Sequence, residues 1–97
     1  MEAVPLANEA IHIWVSGKVQ GVYFRASTAK KAQKLNLCGW VQNLPDDRVE
    51  ILAQGEAESV RQLLLWCQKG PVLAKVSEIT QQVANFDHEL SGFEVRR

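Results

Sequence analysis

The sequence predicts an α+β domain of the ferredoxin-like type, a split β-α-β sandwich with two helices on one face of an antiparallel sheet. Three observations carry this. Segments of strand-like and helix-like apolar spacing follow one another in the order β-α-β-β-α-β, with a short terminal edge strand. Clusters of Gly, Pro, Asn and Asp fall between them. The chain has 97 residues, 46% hydrophobic and 23% charged, which suits one compact core and leaves no room for a second domain.

Alternation in Ile11-His12-Ile13-Trp14-Val15 places Ile11, Ile13 and Val15 on one face of a first strand that ends at Ser16-Gly17. From Phe24 to Leu35, apolar or small residues at Phe24, Thr28, Ala29, Ala32 and Leu35 oppose Ser27, Lys30, Lys31 and Lys34, which predicts an amphipathic helix. Asn36 to Gly39 stops it. Trp40 to Leu44 reads as a strand, Pro45 to Arg48 as a turn, and Val49 to Gln54 as the strand returning in a hairpin. Gly55 breaks the pattern before a second helix over Glu56 to Lys69, with Ala57, Val60, Leu63, Leu64 and Cys67 in one arc, terminated by Gly70-Pro71. A fourth strand follows at about Ala74 to Ala84 and a short last one at Phe93 to Arg96. Residues 1–9 are read as an N-terminal tail and 10–97 as the domain.

Eleven Lys plus Arg balance eleven Asp plus Glu, so the chain has no bulk attraction to nucleic acid or to an anionic membrane. Any anion must be held locally. No apolar run approaches the roughly 20 residues of a spanning helix, and the first ten residues lack the basic start and apolar block of a secretory leader. Cys38 and Cys67 have no metal-ligand spacing; reduced thiols are expected, with a single bridge the open alternative. The expectation is a cytoplasmic monomer without cofactor.

The chemistry concentrates in Gly17-Lys18-Val19-Gln20-Gly21-Val22-Tyr23-Phe24-Arg25, the connection from the first strand to the first helix. Glycine allows a tight path, and the first N–H groups of a helix have no intrahelical acceptor, so such a loop can surround an anion with donors. Arg25 adds a planar fork suited to two phosphate oxygens, and on the helical wheel it lies near Ala29 and Ala32, away from the lysines. The same spacing equally suits an ordinary β-to-α turn. Neither G-x-x-x-x-G-K-[ST] nor G-x-G-x-x-G is present.

Val15 to Arg25 resembles the first signature of the acylphosphatases, V-x-G-x-V-Q-G-V-x-F-R, at every specified position. Gly39 to Glu50 is similar to their G-x-V-x-N-x-x-D-G-x-V-E, with Asp47 standing where glycine is usual. Gly70-Pro71, Ala74, Val76 and Phe93-Glu94-Val95-Arg96 are similar to later segments of the family, so the resemblance runs through residues 10–97. It implies hydrolysis of the carboxyl-phosphate bond of small acyl phosphates, giving carboxylate and phosphate, without metal or nucleotide. It further implies that Arg25 binds the phosphate, that the backbone N–H groups of Gln20, Gly21, Val22, Tyr23, Phe24 and Arg25 form the anion cradle, and that Asn43 orients the attacking water. Asn43 shares strand parity with Val41, which is compatible with the helix side of the sheet, although from the residues alone a solvent-exposed asparagine at a strand end is the simpler reading. Aspartate tolerates a left-handed turn, so Asp47 should weaken the hairpin without touching the chemistry.

A noncatalytic ferredoxin-like module for an anion or RNA is the alternative, and an accessory domain of a larger carbamoyl-transfer protein is a third. His12 and His88 share no ligand spacing, and Asp46, Asp47 and Glu50 are explained by a turn and by strand alternation, so no metal site is expected. Trp14, Trp40 and Trp66 do not form an RNA-recognition signature, and Lys30, Lys31 and Lys34 read as a wet helix face.

Overall fold

A computed structural model of the protein describes residues 8–97. In chain order it contains β1 (Asn8–Lys18), α1 (Phe24–Lys34), β2 (Cys38–Asn43), β3 (Val49–Glu56), α2 (Ala57–Cys67), β4 (Lys75–Ala84) and β5 (Phe93–Val95). The strands form one sheet in the order β4-β1-β3-β2-β5. Strand alternation divides it into two faces. Ile13, Val15, Val41, Val49, Ile51 and Ala53 point to one side and are fully buried under the helices. The small buried residues of α1, Thr28, Ala29 and Ala32, bring that helix close to β2 and β5, while Val60, Leu63 and Cys67 seat α2 on β1 and β3. Lys31 and Lys34 in the last turn of α1 complement the negative end of its dipole. Among the described residues no helix is long and apolar enough to cross a membrane.

Two expectations change. The sheet is mixed: β1 pairs antiparallel with β3 and β4, and β2 with β3, but β5 lies parallel to β2. The cause is the route of the chain. After β4 at one edge, residues 85–92 cross the helix-free face to reach the other edge. There the buried amide of Gln54 holds Asp87 by a reciprocal pair, Nε2 donating to the Asp87 carbonyl at 2.7 Å and Oε1 accepting the Asp87 N–H at 2.9 Å. β5 then arrives running with β2.

β1 also starts earlier than the pattern suggests. Asn8 and Glu9, assigned to the tail, pair with Glu56 and Gly55, and this pairing carries β3 through Gly55 instead of breaking there. The tail assignment for residues 1–7 lies outside the described residues. At the far end of β1 the register with β4 shifts between Ser16 and Gly17. Gly17 has φ 122°, and a Cβ there would run into the Lys75 carbonyl, so only glycine lets β1 hand over to the following loop at this point.

Candidate active site

The loop between β1 and α1 is held by alternate side chains. Val19, Val22 and Phe24 are buried in the core, while Gly21 and Tyr23 face outward. Gly21 at φ 75° and Tyr23 at φ 65° are both left-handed, which curls the segment into the kind of concave turn whose successive N–H groups converge on an anion. A non-glycine residue in that conformation is costly, and the strain falls at the entry to α1. Among the described residues, the N–H groups from Gln20 to Ala26 have no backbone or side-chain acceptor; the first one satisfied is that of Ser27, which donates to the Tyr23 carbonyl at 3.0 Å. The donors at the start of α1 therefore remain available.

Beside this loop lies a cavity of about 440 Å³, whose walls include Gly21, Tyr23, Arg25, Asn43, Val95 and Arg97. Arg25 reaches it from the first turn of α1, and its Nη1 donates to the Arg96 carbonyl at 3.3 Å just past β5. Asn43 reaches it from the end of β2, opposite Val49. Val41 is buried beneath α1 and Asn43 follows the same parity, which is why its side chain turns toward the arginine and not toward the helix-free face. Its Oδ1 is buried and has no hydrogen-bond partner among the described residues. An amide oxygen left so in a protein interior costs about 1–3 kcal/mol, and the residue that carries it lines the cavity.

Of the residues singled out in the sequence, Gly21, Tyr23, Phe24, Arg25 and Asn43 share the cavity wall. The side chains of Gln20 and Val22 point elsewhere: that of Val22 is core, and the Gln20 amide reaches across to the hairpin, Nε2 donating to the carbonyls of Leu44 and Arg48 at 2.9 Å each. Sequence reasoning gave no role to Val95, Arg96 or Arg97. No local spacing could have placed them here, because only the parallel docking of β5 on β2 brings them to Arg25.

The residues set aside earlier sit elsewhere. On the helix-free face, Glu50 accepts from Gln42 Nε2 at 2.6 Å and lies 2.7 Å from His12 Nε2. His12 stacks on Trp14 with ring centroids 4.1 Å apart and meets Trp40 edge-on at 5.8 Å. Asp46 folds back onto Arg48; the Arg48 backbone N–H at 3.2 Å, helped by its guanidinium at 2.8 Å, holds the carboxyl below its usual range. Cys38 and Cys67 are both free thiols, and burial pushes Cys67 up to about 12, so it stays protonated and inert.

Comparison with known proteins points one way. The family model described as acylphosphatase matches residues 11–95. An acylphosphatase of Methylococcus capsulatus (strain Bath) is 51% identical over 87 residues, covering 90% of this chain and 95% of that protein. The solved structure of an acylphosphatase from Coxiella burnetii superposes with a TM-score of 0.87 at 45% identity, covering 92% of this chain and 93% of the other. Full-length HypF, solved in a phosphate- and nucleotide-bound form, contains a similar unit in 13% of its length, at 25% identity and a TM-score of 0.84.

Proposed function

The chain belongs to the acylphosphatase family and is an enzyme that hydrolyses acyl phosphates; from that premise we propose that Arg25 and the N–H groups from Gln20 to Arg25 hold the phosphoryl group while Asn43 aims the attacking water. The observation that carries this assignment is that Asn43, whose buried Oδ1 has no hydrogen-bond partner among the described residues, lines the same cavity as Arg25 and the loop.

The chemistry follows from the bond that breaks. In a mixed anhydride the leaving group is a carboxylate, which departs without being protonated, so a general acid is dispensable. What remains is to collect charge on the phosphoryl oxygens and to put a water in line behind phosphorus. The Arg25 guanidinium can take two of those oxygens in its fork, and the left-handed turn at Gly21 and Tyr23 offers fixed N–H dipoles to the rest. These donors supply positive charge without a metal ion. Asn43 Oδ1 accepts a proton of the water in a hydrogen bond and so orients a lone pair toward phosphorus. An amide is too weakly basic to remove that proton, and among the described residues no Asp, Glu or His side chain lines the cavity. The proton therefore leaves late, to a phosphoryl oxygen of the substrate. Product is a small carboxylate and inorganic phosphate.

The two free thiols support a reducing, cytoplasmic setting, and the zero formal charge supports a small-molecule substrate without nucleic-acid or membrane partners. The test is direct: with a chelator present, purified protein should release phosphate from acetyl phosphate far faster than from a phosphate monoester, whose alkoxide leaves badly. Absence of release above background would remove the proposal.

A further inference from the structure

We infer that the Gln20 side chain is a positioning residue for this reaction: it ties the phosphate loop to the hairpin that presents Asn43, and so sets where the water stands relative to phosphorus. The inference rests on the water-aiming reading of Asn43 given above and goes beyond it.

Gln20 contributes to two structures at once. Its backbone N–H belongs to the unpaired run of the loop. Its side chain leaves that loop and crosses to residues 24 and 28 positions further along the chain, with one Nε2 donating to both Leu44 O and Arg48 O at 2.9 Å. Leu44 directly follows Asn43, and Arg48 directly precedes Val49, the residue paired with Asn43 across β2 and β3. The two N–H bonds of one amide therefore engage both strands at the neck of the hairpin.

The hairpin does not need this contact to close. Leu44 N donates to Arg48 O at 2.8 Å and Asp47 N to Leu44 O at 3.2 Å, using one lone pair on each of the same two carbonyls. Nor does the loop need it to stay folded against the core, since Val19 and Val22 are buried on either side of Gln20. What the amide fixes is the relation between two otherwise self-sufficient pieces. One piece carries the anion donors and the other the water-orienting oxygen, and an error of about 1 Å between reacting groups costs roughly 10²-fold in rate.

Gln20→Met keeps the length of the side chain and removes both donors. Its kcat should fall by roughly 10-fold to 100-fold, while inhibition by inorganic phosphate, which reads the cradle alone, should change by less than about twofold. Asn43→Ala and the double variant complete a cycle: with the asparagine gone there is nothing left to position, so the Gln20→Met effect should shrink to less than about threefold. Phosphate inhibition weakening in step with kcat would overturn the inference, because the side chain would then be serving the cradle. A full Gln20→Met loss persisting in the Asn43→Ala background would overturn it too, while leaving the role of Asn43 standing. Near-wild-type turnover in Asn43→Ala itself would remove the water-aiming reading, and this inference with it. Should Gln20→Met fail to fold, Gln20→Leu removes the same donors without adding charge, with the same expectations; a chain that folds with neither would make the contact structural and end the case.

Discussion

The loop between β1 and α1 and the hairpin turn face each other across Gln20, and both contain a non-glycine residue in the left-handed region, Tyr23 at φ 65° and Asp47 at φ 73°. They treat their donors in opposite ways. In the turn, Leu44 N, Asp47 N and Arg48 N all have acceptors within the turn itself, and the Arg48 guanidinium closes back on Asp46. In the loop, the N–H groups from Gln20 to Ala26 have none among the described residues. A turn whose donors are satisfied locally holds its shape whether or not anything binds. A loop with free donors, kept in place by apolar anchors at Val19, Val22 and Phe24, holds its shape for something that arrives. On the proposed reading, similar backbone strain serves the site in one place and only the closure of a turn in the other.

The largest test of this contrast is Arg25→Gln. The substitution keeps a planar hydrogen-bonding group but removes the charge and the fork, so it weakens both the bound phosphate and the transition state. We expect kcat/KM to drop by about 10³ and phosphate inhibition to weaken in parallel. Retention of tight phosphate inhibition would mean that the loop N–H groups hold the anion without the arginine. Next in size is Asn43→Ala, which should lower kcat by about 10² with little change in phosphate inhibition, because it removes the aim of the water and none of the anion donors. Parallel loss of both quantities would make Asn43 part of the cradle.

Much of this was legible in the chain as a string. The glycine-containing break at Gly17 to Tyr23 between a strand pattern and a helix pattern locates the loop, and the parity of Asn43 with Val41 is compatible with its turning toward the helices. Both are local features, and local periodicity reports them. The structure departs where a distant partner decides. Gly55 looks like a strand end, but pairing with Glu9 holds it in extension. β5 looks like one more antiparallel edge, yet the crossing held by Gln54 and Asp87 delivers it parallel to β2, and with it the Arg96 carbonyl that receives Arg25. Gln20 is the sharpest instance. Its place in the motif draws attention to its backbone, while its side chain acts on carbonyls that no spacing rule connects to it.

The smallest test isolates the turn. Asp47 adopts φ 73°, its carboxylate takes part in no hydrogen bond or ion pair among the described residues, and the turn is closed by neighbours. Asp47→Gly should therefore relieve the left-handed strain while disturbing no contact. Strain in that region is worth about 1–2 kcal/mol for an ordinary residue and less for aspartate, and the added chain freedom of glycine offsets part of the gain. A net rise of about 0.5 kcal/mol follows, or roughly 2–4 °C in Tm for a domain of this size. Because the turn is self-contained, kcat/KM should stay within about twofold of wild type. A change in turnover larger than that, with stability unmoved, would mean that the turn is mechanically coupled to the cavity more tightly than its closed hydrogen bonding implies, and the two regions could no longer be treated as separate.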